Sequence, residues 1–567
     1  MAEFTLPLVG PPTQRGIDQW ATANTDQRFI DCLFTVSDNN LTRDRNIFIN
    51  KRPGIKTGTT INSGKQGLAI CDAYGFKSVD GSGLIDHCTG FIDYQVGSNI
   101  LYFYVSSTAI GVCTDGPAYP YYPNVYITKG IDASEQEIFI IVVSHYFAFY
   151  IGETGMTGGV TFTANTTNAA ATLTSVSSFT GLVVGQKLSG TGIASTARIA
   201  VLDSGASKIT MSANATATNS TVTITRERMA KIMDADFPTP VGPMQQLNGY
   251  YFVAKSRSRN IYQSAVNNVA SWAAADYLTV DSTPGEIFGV SRSGNRIIAH
   301  KTDCIEVYYN NGNSSGSILS VDESARVLTS SGVNTTDINP SSNFYQFFSS
   351  VDDYVFTAQG RLYMTVNNST KVISNYQIDN RLANAFSTNT WISAFNLCGK
   401  TYVYMRFANA IAFLYDVELN LWSEFRNTIY LIFAPHTGLV IHQSTEGRVD
   451  EFPFNGILDT AVYQDNGSSY TMTVQTNRTD FGYNGWKFIK EIHLLADNQS
   501  SGTATLERST NDGASWDTIG TFDLTSQRKR ITPGGAYEGQ AQYRLTHSAN
   551  TPFRASALKF IYDGRGG

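Results

Sequence analysis

Apolar and polar residues alternate along most of the chain in short runs of roughly five to eight positions, each ending at Gly, Asn, Asp or Pro. NIFIN (46–50), NILYFYVS (99–106), TYVYMRF (401–407) and AIAFLYDV (410–417) are examples. Successive side chains on a strand point to opposite faces, so a period near two with frequent turn signals predicts antiparallel sheet. Only NRLANAFST (380–388) reads as a short helix. IFIIVVSHYFAFYI (138–151) is strongly apolar, but it falls short of the roughly 18–20 residues of a membrane span and is broken by Ser144 and His145. It predicts two buried strands joined by a tight turn.

The strands recur as a unit of strand, polar turn and strand. NGYYFVAKSRSRNIYQSAVNN (248–268), NRIIAHKTDCIEVYYNNG (295–312), DDYVFTAQGRLYMTVNNSTKVISN (352–375) and KTYVYMRFANAIAFLYDVELNLWSEF (400–425) share this layout. The last has a kelch-like end, with Tyr415-Asp416, a turn, and Leu421-Trp422. A spacing of about 45–55 residues matches propeller blades of four strands. Stacked sandwiches and an irregular β-solenoid also satisfy this pattern.

Two segments depart from it. Residues 155–226 are rich in Thr, Ala, Ser and Gly, and begin and end in strand (VTFTA, TVTIT), which predicts a small β-domain with adjacent ends inserted into another fold. YFAFYIGE before it and RERMAKIMD after it read as two arms of one interrupted hairpin. Beyond about residue 470 the chain is strand-turn-strand to its end, as expected of a β-sandwich. The predicted organisation is all-β: residues 1–154 form the first part of a propeller-like multi-bladed body, 155–226 the inserted small β-domain, 227–470 the rest of the body, and 471–567 a C-terminal β-sandwich.

Composition narrows the partners. Forty-one basic against forty-seven acidic residues give a net charge of −6, and charged residues make up only 16% of the chain. This mild acidity without long basic runs opposes tight binding to phosphate backbones. The start, MAEFTLPLVGPPTQRG, lacks the basic and apolar regions of a secretory signal. Cys32, Cys71, Cys88, Cys113, Cys304 and Cys398 are widely spaced, which predicts reduced, buried thiols and no zinc site.

Candidate chemistry is sparse. STNDGASW (509–516) is similar to the Asp-box turn of sialidases, in which Ser and an acidic side chain bond to backbone amides and Trp packs below. Here Ser509, Asn511 or Asp512, and Trp516 take those places. The turn holds a hairpin and cleaves nothing. A sialidase would also need several such turns, an arginine cluster, a Tyr nucleophile and an acid. Lys51-Arg52-Pro53-Gly54 is only faintly similar to the Arg-Ile-Pro start of those enzymes. The pairs Asp352-Asp353 and Asp234/Asp236 read as solvated turns. His87, His145, His300, His436, His442, His493 and His547 show no metal spacing. Basic clusters at 255–259, 226–228 and 528–530 read as hairpin tips. The expectation is no catalytic, cofactor or metal residue, and no enzyme.

The order of several motifs carries a resemblance: KRPGIKT (51–57), Asp236-Phe237-Pro238 before the strand NGYYF, Tyr262 and Ser264, Trp272 and Asp276, Glu306-Val307-Tyr308-Tyr309-Asn310, and LYDVELNLWSEF (414–425). Across residues 40–155 and 228–465 the chain resembles the packaged-DNA stabilisation proteins of short-tailed bacteriophages, the tail hub or nozzle proteins. The insertion (GLVVGQKLSGTGI, KITMSANAT) and the terminal region (Arg478, Asp480, Phe481, Gly482, HLLAD) resemble add-on domains of phage tail proteins. The resemblance implies a structural virion protein made in the bacterial cytoplasm and carried in the tail. It would form a homohexameric ring below the portal and its adaptor, contact tail fibres or spikes, retain packaged DNA, and conduct it non-specifically through its lumen during ejection. The alternative is a glycan-active or glycan-binding tail protein, either a sialidase-like hydrolase or a receptor-binding protein.

Overall fold

The computed structural model describes the chain apart from residues 10–26, 38–45, 61–124, 155–160, 322–326, 330–346, 381–390, 407–411, 453–461 and breaks of one to four residues. NILYFYVS (99–106) and all but the first residue of the expected helix at 380–388 lie outside the described residues. The protein is all-β, with a propeller-like body, an inserted β-domain and a β-sandwich.

The body is a series of antiparallel sheets, each built around four strands in meander order. The apolar run at 138–151 becomes Glu137–Val143 and Phe147–Gly152. They are joined at Ser144–Tyr146, where His145 takes a positive φ of 70°. With Val125–Ile131 and Asn219–Lys231 they form the first sheet. Pro240–Leu247 opens the second, Ile287–Ser293 the third, Phe347–Ser349 the fourth, Trp391–Leu397 the fifth and Tyr430–Ala434 the sixth. These opening strands lie against one another in sequence, first to second and on to sixth. Sheets therefore stack around an inner line of first strands, as propeller blades do. The sixth sheet takes its outer strand, Lys56–Thr60, from before the rest of the body, in register Arg448↔Thr60 and Val449↔Thr59.

Alternation within each strand supplies both faces of a blade. On the strand Tyr250–Lys255, Tyr251 and Val253 pack with Ile140 and Val142 of the first sheet. Phe252 and Ala254 face the other way, onto Ile297 and Ala299 of the third. All four are fully buried, and a large apolar side chain so placed contributes about 1.5–3 kcal/mol. Gly242, at φ +76°, lets the inner strands touch: a Cβ there would lie 2.6 Å from the Gly289 Cα. Polar lacing adds to this packing. Gln246 bonds both the N–H and the C=O of Ile131 at 3.0 Å, and Arg292 donates to the Gln246 carbonyl at 2.9 Å.

The inserted domain has its own core around Phe162, Leu173, Leu188, Ile199 and Ile209. Its last strand, Asn219–Lys231, runs across the expected 226/227 boundary without a break. The first half pairs with Thr161–Thr166, and the second returns to the body through Ala230↔Tyr150 and Lys231↔Phe149. Those are the two arms read from the sequence. The domain also packs back along that hairpin. Its strand Gln186–Gly190 pairs with Asn219–Lys231 and extends the first sheet outward.

The sandwich differs from the expected 471–567. One of its sheets joins Trp486–Ala496 and Arg554–Arg565 to Ala2–Pro7, Cys32–Ser37 and Asn46–Lys51. The other joins Met472–Gln475, Gln542–His547, Thr503–Ser509 and Asp517–Asp523 to Arg28–Ile30. Strands assigned from sequence to the start of the body (1–154) thus complete the terminal sandwich, because the 471–567 segment alone leaves the edges of both sheets unpaired. Arg28–Ile30 also meets the fifth sheet in parallel at Ile30↔Glu424, which fuses sandwich and body.

Candidate functional site

STNDGASW folds as a hydrogen-bonded turn at the end of Thr503–Ser509. The Ser509 hydroxyl accepts from the Gly513 N–H at 2.9 Å, and the Asn511 side-chain oxygen accepts from the Ser515 N–H at 3.0 Å. Asn511 therefore takes the acidic position of an Asp box, while Asp512 pairs with Arg478. Trp516 lies 4.4 Å from the Arg544 guanidinium, which is itself bonded to Glu507 at 2.6 Å. Each group is used in holding one sheet of the sandwich together.

A buried charge cluster lies at Lys51-Arg52-Pro53-Gly54. Arg52 is wholly buried and its donors are spent on protein groups: Nε on Asp31 at 2.7 Å, Nη1 on Pro53 O at 3.0 Å and Asp465 at 2.9 Å, and Nη2 on Asp465 at 2.6 Å. Its guanidinium carbon sits 3.9 Å from the Tyr470 ring centre and 4.3 Å from that of Phe425. Burial alone would depress its pKa, but Asp31 and Asp465 outweigh it and raise the pKa above the ordinary value. Gly54 is required here, since a Cβ would lie 2.1 Å from the Gln464 carbonyl oxygen. Asp31 comes from the N-terminal strands, Phe425 from the fifth sheet, and Asp465 and Tyr470 from the segment entering the sandwich. The cluster is a pin joining all three, and its arginine is held by two of the protein's own carboxylates and the Pro53 carbonyl.

Lys51 is buried beside it, donating to Ala549 O at 2.7 Å over the Tyr470 ring. Burial, then the Arg52 charge, lowers its pKa to about 8. In the unfolded chain a lysine titrates near 10.4. Folding therefore carries a penalty for charged Lys51 that is full below about pH 8 and is relieved as pH rises from there towards 10.4. Lys51→Met should raise stability at pH 7 relative to wild type by about 2 kcal/mol more than at pH 9.5. Unfolding curves of both proteins at the two pH values check this.

The remaining sequence candidates are also structural. Asp234 accepts the N–H of Asp236 at 2.9 Å and that of Trp272 at 2.9 Å, and Phe237 stacks edge-on against Trp272. Ser264 accepts the Tyr251 N–H at 3.0 Å. Glu306 receives hydroxyls from Ser282 at 2.6 Å and Tyr308 at 2.8 Å, with Lys301 at 3.5 Å. Tyr415 donates to Asn420 at 2.6 Å, and Trp422 of the fifth sheet donates to Ile373 O beside the fourth at 2.8 Å. His300 is buried against Ser291 at 2.8 Å, and burial lowers its pKa well below the ordinary value. His145 meets Ser256 at 2.6 Å and His493 meets Glu491 at 2.8 Å. Among the basic clusters, Arg257 and Arg259 are exposed at a hairpin tip, as expected, whereas Arg226 and Lys529 are buried. Asp352, Asp353, His87, His436, Cys71, Cys88, Cys113 and Cys398 lie outside the described residues.

Among the described residues, no three His, Cys, Asp or Glu side chains gather as a metal site, and no helix is long and apolar enough to cross a membrane. Cys32 and Cys304 are free and buried. Asp31, Asp465 and Tyr470 escaped sequence reading: the Arg52 partners lie 21 and 413 residues from it, and no local signal marks them.

No protein-family model matches the chain, and no curated protein matches it. Solved structures similar to it include Hsv2 of Kluyvelomyces marxianus (10% identity, 62% of this chain and 89% of that one, TM-score 0.26). An exo-β-1,3-galactanase of Phanerochaete chrysosporium is similar at 12% identity, over 58% of this chain and 98% of that one, with TM-score 0.23. A sialidase of Trypanosoma rangeli is similar at 9% identity, over 98% of this chain and 95% of that one, with TM-score 0.23.

Proposed function

We propose that this chain is a structural component of a short phage tail, a hub or nozzle subunit that assembles as a ring beneath the portal and adaptor. In that place it retains packaged DNA and then conducts it during ejection, without catalysis. The observation that carries the reading is the use made of the residues bearing the family resemblance. Arg52, Trp272, Ser264, Glu306, Tyr308, Tyr415 and Trp422 are all engaged in stitching strands, blades and sandwich together. Residues so used supply rigidity. The weakly acidic composition suits a lumen through which DNA slides, since dense Lys and Arg contacts would hold the phosphates.

The test is DNA retention. Particles assembled without this chain should package DNA and then lose it, measured as nuclease-protected DNA over time. Particles lacking it that keep their DNA as long as complete ones would contradict the proposal.

A further inference from the structure

The hairpin tip at residues 255–259 reads Lys-Ser-Arg-Ser-Arg, between the strands Tyr250–Lys255 and Asn260–Ala265 of the second sheet. Its frame is tied to neighbouring segments at four points. The Ser256 N–H donates to Thr239 O at 2.9 Å. The carbonyls of Ser258 and Arg259 accept the N–H groups of Ile287 at 3.0 Å and Val280 at 2.8 Å. Ser256 Oγ also meets His145 Nδ1 of the first sheet at 2.6 Å.

The cations on this frame are not used by the protein in the same way. Arg257 and Arg259 are exposed, and Lys255 is half-buried with its ammonium 5.5 Å from the Tyr262 ring centre. Among the described residues none of the three forms an ion pair, with Asp281 and Glu286 of the adjoining connection or with any other carboxylate. Arg52, Lys301 and Lys400, by contrast, all meet carboxylates. His145 senses the open charge: burial first, and then Arg257, lowers its pKa. Three cationic side chains at alternate positions of a rigid turn match a polyanion whose charges repeat at intervals. A nucleic-acid backbone is such a partner, and contacts of this kind hold phosphates without reading bases. An acidic protein surface would need carboxylates placed to match one by one.

We infer that this tip binds the phosphate backbone of double-stranded DNA without regard to sequence. The inference rests on the hub reading for the presence of DNA beside the chain. Three contacts per chain make a brake on a moving duplex rather than a clamp, in keeping with a chain of net charge −6.

Fluorescence anisotropy of a labelled duplex, titrated with the full-length protein at several salt concentrations, tests it. Binding should fall with salt at a slope of log K on log salt of about −2.7 per bound chain, for three phosphates at about −0.9 each. Arg257→Gln/Arg259→Gln, which changes only exposed side chains, should reduce that slope by about 1.8 and weaken low-salt binding at least about tenfold. Its thermal unfolding should match wild type. No wild-type binding at about 100 μM protein and about 25 mM salt would overturn the inference. So would an unchanged slope in the folded double variant, or a preference for one duplex sequence over another. Displacement of the duplex by poly-L-glutamate at equal charge concentration would also overturn it, and would mark the tip as a contact for an acidic protein. Mass photometry of the same samples separates this inference from the hub reading. Rings that ignore DNA would overturn the tip and leave the hub, and DNA binding through the tip by a chain that forms no ring would do the reverse.

Discussion

Arg52→Ala is expected to destabilise the folded chain by about 3–5 kcal/mol, the range for removing one partner of a buried ion pair. The loss exceeds that of a surface bridge because Asp31 is wholly buried and Asp465 is nearly so, and both would lose the guanidinium they are bonded to. Arg52→Lys should recover little. A lysine is a point charge, whereas Arg52 spans two carboxylates and the Pro53 carbonyl with a planar fork and stacks between Phe425 and Tyr470. The damage should also be localised. The cluster joins body, N-terminal strands and sandwich, so proteolysis of the variant should release the sandwich from the body before either unfolds. Equilibrium unfolding and timed proteolysis measure both effects. A change below about 1 kcal/mol would mean the cluster is not the pin described.

Gly185→Ala should undock the inserted domain. Gly185 adopts φ +94°, where any side chain is strained, and its Cβ would lie 2.0 Å from the Lys231 carbonyl oxygen. The same residue's carbonyl accepts from the Lys231 N–H at 3.0 Å and from the Arg198 side chain at 3.0 Å, so the edge pairing and the Arg198 anchor share one point. The expected cost is at least about 2 kcal/mol, from conformational strain plus lost pairing. Hydrogen exchange should rise at residues 186–190 and 226–231 while the sheet pairing Lys208–Met211 with Ile199–Asp203 stays protected. Unchanged exchange at both segments would show that docking does not depend on this contact.

Much of this architecture is legible in the sequence because strand alternation and turn residues are local signals. The split of 138–151 at Ser144-His145 and the two arms around the insertion are read from neighbouring residues and appear as such. What was not legible is long-range. Nothing within Ala2–Pro7 or Asn46–Lys51 says that their partner is the strand Arg554–Arg565 rather than the adjacent body, since a short amphipathic strand fits any edge of the right register. The same holds for the site. The Asp-box turn is contained in eight residues and could be read directly, except for the choice between Asn511 and Asp512, which the folded turn makes. Arg52 could be noticed, but its burial depends on Asp31 and Asp465, which only the folded chain brings to it.

Mass photometry of the purified protein, alone and with the adaptor, tests the structural reading most directly. The account predicts a closed ring of several copies, forming alone or on the adaptor, with negative-stain images showing a channel along its axis. A chain that stays monomeric at all concentrations and never joins adaptor rings would contradict it.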